Sequence, residues 1–131
     1  MLIVIEFANF STEDAIKDDA VGISVRHIIK KEGLNAYATF INAGKRVGCH
    51  NHSSGDEWYI ILSGEGEIWT GEVLDNEVHD VQKKRFSQGC IFCIYPNTAH
   101  QLVAYENVKL IFLCPESHLS HDRVCFADIC E

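Results

Sequence analysis

Gly44-Lys45-Arg46-Val47-Gly48-Cys49-His50-Asn51-His52-Ser53-Ser54-Gly55-Asp56-Glu57-Trp58-Tyr59-Ile60-Ile61-Leu62-Ser63-Gly64 is the stretch that decides the fold. In a strand, residues i and i+2 share a face and lie about 6.6–6.8 Å apart. His50 and His52 therefore project together. Ser53-Ser54-Gly55-Asp56 is turn chemistry, with short polar side chains and a glycine that accepts positive φ. A reversal there returns Glu57 toward the histidines. Trp58 to Leu62 then has strong β-character, and Gly64-Glu65-Gly66 reads as the next tight turn. Two imidazoles and one carboxylate are suitable donors for a borderline divalent metal: Fe, Mn, Zn, Ni or Co.

A further donor comes from Gly89-Cys90-Ile91-Phe92-Cys93-Ile94-Tyr95-Pro96-Asn97-Thr98-Ala99-His100-Gln101. An apolar strand runs into a Pro-Asn-Thr turn. Proline cannot donate to a β-ladder and fits the strand end. Asn97 tolerates a left-handed conformation. His100 is then presented at a strand start, as His50 is.

Together these two segments resemble the paired motifs of the cupin family. Gly44, His50, His52, Glu57 and Gly64 match the first motif in full. In the second, Gly89, Pro96 and His100 fit. The usual glycine after the proline is absent, with Asn97 nearby, and Ala104 stands where the family has asparagine. Asn107 with Glu106 is expected to form the following turn. The resemblance covers roughly residues 36–114. It implies an all-β double-stranded β-helix, a jelly-roll barrel with at most one short helix near the N-terminus. It assigns His50, His52, Glu57 and His100 as metal ligands, leaving two positions of a six-coordinate ion for water, dioxygen or substrate.

The rest of the chain agrees with one domain spanning residues 1–131. A length of 131 residues is near the commonest domain size. Its composition is 47% hydrophobic with formal charge −8, which argues against nucleic acid, since that needs a basic stripe. Lys83-Lys84-Arg85 is the one basic group and reads as a solvated turn. No segment approaches the ~20 apolar residues of a membrane helix, and the N-terminus lacks a signal-peptide pattern. A cytoplasmic location is expected. The six cysteines then read as buried small hydrophobes. Cys90 and Cys93 lie three apart in a strand, on opposite faces, and are not expected to chelate together.

Strands are expected near residues 2–6, 22–29, 36–42, 46–52, 57–62, 66–70, 78–83, 90–95, 101–105, 108–114 and 123–127. Ser11-Thr12-Glu13-Asp14 resembles a helix start with Ser11 as cap, giving a short helix to about Lys17. Alternation from Glu57 places Tyr59 and Ile61 on the ligand face, with Tyr59 the candidate catalytic residue. Trp58 and Gln101 point away. His27 and His79 read as ordinary surface or core histidines. His118-Leu119-Ser120-His121-Asp122-Arg123 reads as a solvated loop after the last strand, with a place at the pocket mouth as the alternative. Residues 1–7 are a plausible interface strand, and cupins are often dimers, so a homodimer is expected.

Fold does not determine chemistry. The resemblance implies a small metalloenzyme acting on a small organic acid or sugar derivative, of isomerase, lyase/decarboxylase or dioxygenase type. A non-catalytic, metal-dependent ligand-binding or sensing module is the alternative. Proton-transfer chemistry would need a titratable group close to the substrate. Tyr37, Tyr59, Tyr95, His27 and the 118–123 cluster are the candidates.

Overall fold

The chain is described by a computed structural model covering residues 5–31 and 33–131. Two antiparallel sheets face each other. In chain order the strands are β1 (Ile16–Asp18), β2 (Ile23–Ile29), β3 (Asn35–Ile41), β4 (His50–Asn51), β5 (Glu57–Ser63) and β6 (Gly66–Leu74). They continue with β7 (Glu77–Phe86), β8 (Ile91–Ile94), β9 (Thr98–Ala104) and β10 (Val108–Cys114). Helix α1 (Ser117–Ser120) and β11 (Val124–Cys125) follow. One sheet has the order β1-β2-β3-β10-β5-β8 and the other β11-β4-β9-β6-β7.

This is the expected jelly roll, but not a closed barrel. Among the described residues no strand is shared between the sheets, and β1, β8, β11 and β7 are edges. Packing across the interior closes the structure instead of hydrogen bonds. The alternating burial of β5 and β10 supplies much of that interior. Tyr37, Ile61, Leu110 and Phe112 meet there, with Tyr37 and Phe112 stacked at 4.8 Å.

Turns fix the register. Asp75 and Asn76 both have positive φ between β6 and β7, as a two-residue hairpin loop of this twist requires. Gly64 has φ +97°, and a Cβ there would lie 2.2 Å from the carbonyl oxygen of Asn107. Only glycine lets the turn after β5 pack against the turn before β10. Asn97 adopts φ +60°, so the second turn forms with asparagine in the left-handed conformation anticipated for it.

Two local expectations differ from the structure, and a third falls largely outside the described residues. The short helix over residues 11–17 does not form. The Ser11 hydroxyl does accept the Glu13 N–H, but Asp14 turns to φ +58° and Ile16–Asp18 joins β2 as an edge strand. The helix lies instead at residues 117–120. Lys83, Lys84 and Arg85 are not in a turn but on exposed β7, with Lys83 over Trp69 and Arg85 over Tyr105. The strand expected near residues 2–6 lies mostly outside the described residues, and residues 5–7 belong to no strand and are exposed.

Candidate metal centre

His50 on β4 stands opposite His100 on β9 in the antiparallel register. His52 follows β4 directly. Glu57 opens β5 in the other sheet. The turn at residues 53–56 thus carries the chain across from one sheet to the other. One ligand-type atom from each of His50, His52, Glu57 and His100 lies within 4.8 Å of the others, and all four residues are buried. This cluster could hold a metal ion.

The chemistry of the donors decides the fit. The Nδ1 of His50 lies 2.8 Å from the Gly48 carbonyl, that of His52 2.6 Å from the Asp122 carbonyl, and that of His100 3.0 Å from the Thr98 carbonyl. A carbonyl only accepts, so each Nδ1 carries the proton and donates it. Each Nε2 is then left with a lone pair. The Nε2 atoms of His52 and His100 are buried and have no hydrogen-bond partner. His52 Nε2 lies 3.0 Å from Glu57 Oε2. In this tautomer that contact sets one lone pair against another. Buried polar atoms are seldom left so, and a cation between them satisfies both. Main-chain anchoring of the outer ring nitrogen is also how metal-bound histidines are oriented.

Glu57 is held from behind. Tyr59, two residues along the same face, donates its hydroxyl to Glu57 Oε1. His118 Nδ1 lies 2.9 Å from Glu57 Oε2, and His118 Nε2 lies 2.6 Å from the Ser54 carbonyl. Both ring nitrogens face acceptors, so both donate. The His118 ring stacks on His52 at 3.8 Å and 2°. Burial alone would push the Glu57 carboxyl up, but the hydrogen bond donated by His118 opposes this, and the carboxyl is held well below the usual range. Burial raises the Tyr59 phenol, and the Glu57 charge adds to this. Burial lowers His50 to about 3, helped by the nearby His100, and lowers His100 in the same direction. For His118, burial works downward but the Glu57 and Ser54 hydrogen bonds win and raise it.

The 118–123 segment is therefore not a solvated loop. Its polarity suits a solvated loop as well as a pocket mouth, and only the folded chain shows which of its residues turn inward. His118 is buried, while His121 is exposed. Asp122 accepts from the Ser53 N–H, the Ser53 hydroxyl and the Ser54 N–H at 2.7–2.9 Å. Arg123 pairs with Asp18 at the cavity wall. Gln101 points away from the cluster, as alternation requires. Its amide bonds Val47 and Asp128, and its oxygen accepts from the Ile129 and Cys130 N–H groups. Trp58 is on the outer face and Tyr95 is exposed. His27 and His79 are exposed and outside the cluster. All six cysteines are free.

The family profile described as cupin domain matches residues 39–115, more than half of the chain. The protein belongs to the cupin family. Solved structures agree on the fold. A cupin 2 conserved barrel domain protein from Salinispora arenicola has TM-score 0.65 at 15% identity, over 89% of this chain and 93% of that one. Capsular polysaccharide assembling protein CapF from Staphylococcus aureus has TM-score 0.67 at 15% identity, over 87% of this chain. Bacillus subtilis oxalate decarboxylase, a protein with Mn(II) centres, has TM-score 0.64 at 12% identity, over 86% of this chain. This chain spans 34% of CapF and 29% of the decarboxylase. No curated protein sequence matches it.

Two outcomes are expected. His118→Phe keeps a ring against His52 but leaves the Glu57 carboxylate and the Ser54 carbonyl without their buried donor. It should cost about 2–4 kcal/mol in urea unfolding, whereas His121→Phe should cost under about 0.5 kcal/mol. The second outcome concerns pH. His50 and His100 have lowered folded values, so the unfolded chain binds their protons first. Each loses stability as pH falls below about 6.5. His118, raised, is protonated in both states below that point and adds no slope there; its contribution is lost only as pH rises above about 6.5. His50 alone therefore gives a loss of about 1.4 kcal/mol per pH unit from below about 6.5 toward about 4.5 in metal-free protein, and His100 adds to it in the same direction. Urea midpoints measured at pH 7.0, 6.0 and 5.0 check it, and a flat profile contradicts it.

Proposed function

We propose that His50, His52, Glu57 and His100 bind a divalent metal ion and that this centre acts on a small organic acid. The observation that supports this reading is the convergence of three imidazole Nε2 atoms, each with Nδ1 tied to a main-chain carbonyl, on one buried carboxylate. A nitrogen-rich set with a single carboxylate suits Mn, Fe, Co, Ni or Zn rather than Ca or Mg. When bound, such an ion supplies Lewis acidity at its open positions.

The chain's own residues then narrow the chemistry. The cavity beside the cluster is walled by Val21, Ile23, Val25, Leu102, Leu110 and Phe112 among others. Its titratable groups other than the four candidate ligands are already engaged: Tyr59 with Glu57, His118 with Glu57 and Ser54, and Asp18 with Arg123. A general base must be free to reach the substrate, and each of these is held by a protein partner. This favours lyase/decarboxylase or dioxygenase chemistry over an isomerase that shuttles protons through side chains. Tyr59 is better placed to hold Glu57 than to meet substrate. A non-catalytic, metal-dependent ligand-binding module fits the same apolar walls and is the second reading. Six free thiols suit a cytoplasmic location. Among the described residues, no helix is long and apolar enough to cross a membrane.

A homodimer through the outer face of the six-stranded sheet is proposed with it. Trp58 stands beside Leu113 and Cys93, and Ile60 beside Ile111 and Ile91, in one register block. These are contiguous outward-facing apolar residues, and such patches mark interaction sites. The protein's charge of −8 disfavours self-contact through most other surfaces.

Protein purified without a metal-affinity tag should contain close to one equivalent of a first-row metal by elemental analysis. His52→Ala should lower metal affinity by about 100-fold or more, because a lost ligand leaves three donors. Incubating metal-loaded protein with small organic acids, while following oxygen uptake and carbon dioxide release, separates the two readings. Turnover abolished in His52→Ala supports an enzyme, and metal-dependent binding without turnover supports the module. Metal-free wild-type protein that cannot be loaded would overturn both. Light scattering should give a dimer that Ile60→Asp converts to monomer, and a monomeric wild type removes the dimer proposal.

A further inference from the structure

Two cavities meet at one ion pair. The inner one, beside the metal ligands, has a volume of about 30 Å³, and the outer groove about 340 Å³. Asp18, Val25, Leu119 and Arg123 line both. An inner volume of that size takes about one or two waters. A small acid that enters from the outer groove has to pass the wall that the two cavities share.

Most of that wall is fixed. The three ligand histidines are tied to main-chain carbonyls, Glu57 is held by Tyr59 and His118, and the aliphatic residues belong mostly to paired strands. The shared wall is different. Asp18 ends β1, a three-residue edge strand paired only with β2. Arg123 lies in the connection between α1 and β11. Their side chains are 18% and 19% exposed, so this is a largely desolvated pair facing the groove on one side and the metal cavity on the other.

The pairing is also incomplete. Arg123 gives Asp18 a single hydrogen bond, from one terminal nitrogen to Oδ2, and has no other side-chain hydrogen-bond partner among the described residues. The other oxygen of Asp18 accepts the Ala20 N–H at 3.2 Å. Only one oxygen of Asp18 thus accepts from the guanidinium in this structure, while the other accepts from the turn. A guanidinium fork favours a bidentate carboxylate, so an incoming carboxylate can make the second hydrogen bond that Asp18 withholds.

We propose that Arg123 is the carboxylate-recognition residue of this site, with Asp18 occupying the guanidinium until a small organic acid replaces it. The inference rests on the proposed function for the ligand's other end, and it narrows the substrate class from acid or sugar to acid. Charge points the same way. Asp18 and Glu57 are the acids of the inner cavity and Arg123 its permanent cation, so a divalent ion leaves it net positive and selective for anions. Exchange at Arg123 also opens the wall, which joins the groove to the metal cavity.

Glycolate and its neutral isostere glycolamide test this by calorimetric titration of tag-free protein, both Mn(II)-loaded and metal-stripped. Loaded wild type should bind glycolate at least about tenfold tighter than glycolamide, the range of a charge-assisted hydrogen bond. Arg123→Gln should lose about tenfold or more for glycolate and stay within twofold for glycolamide. Arg123→Lys, which keeps the charge but not the fork, should fall between. Asp18→Asn removes the competitor and should tighten glycolate severalfold. Arg123→Gln binding glycolate like wild type, or a wild type that does not distinguish the two ligands, overturns the proposal. Wild type that cannot take up Mn(II) overturns the metal reading alone. The metal-stripped titration then decides, and no Arg123-dependent glycolate binding in either form overturns this inference.

Discussion

A buried carboxylate facing buried imidazole lone pairs is the constraint around which this structure is organised. Glu57, His50, His52 and His100 are taken out of water between two sheets. Burying polar groups without partners costs several kcal/mol. The chain meets that cost from outside the cluster. Main-chain carbonyls at residues 48, 98 and 122 hold the outer ring nitrogens, while Tyr59 and His118 hold the carboxylate. What remains unpaired are the Nε2 atoms of His52 and His100, pointed at one spot.

The segment after the last long strand completes this arrangement. Asp122 ties down the turn at residues 53–54 through three hydrogen bonds, and its own carbonyl orients His52. Pro115 packs where any side chain at residue 55 would be, so Gly55 is required by contact as well as by its φ of +83°. The region matched to the cupin family ends at residue 115, yet His118 and Asp122 lie beyond it. The motif supplies the candidate ligands, and the tail of this particular chain fixes how they stand.

Local rules made much of this legible. Period-two alternation from Glu57 put Tyr59 inside and Trp58 outside, and the same rule turned Gln101 away from the cluster. The turn at Asn97 was readable because asparagine is one of the few side chains that accept positive φ. Failures came where local rules compete. Ser11 to Asp14 carries helix-start chemistry, but an edge position beside β2 captured the following residues. The basic triplet had turn-like polarity but lies in a strand whose exposed pattern carries almost no alternation. Nor does hydrophobic patterning say whether two sheets exchange hydrogen bonds at their edges, and these do not.

By itself, then, the sequence determined the fold class and the four candidate ligands, through motifs that resemble those of the cupin family, and the direction of their neighbours, through alternation along strands. Alternation can be read from one chain because backbone geometry converts spacing into facing. The tertiary structure decided which far segments meet: His118 with Glu57 across 61 residues, and Arg123 with Asp18 across 105. Such pairings depend on how the sheets pack and where the tail crosses them. No local period encodes that, and the polar letters of residues 118–123 would read the same in a solvated loop.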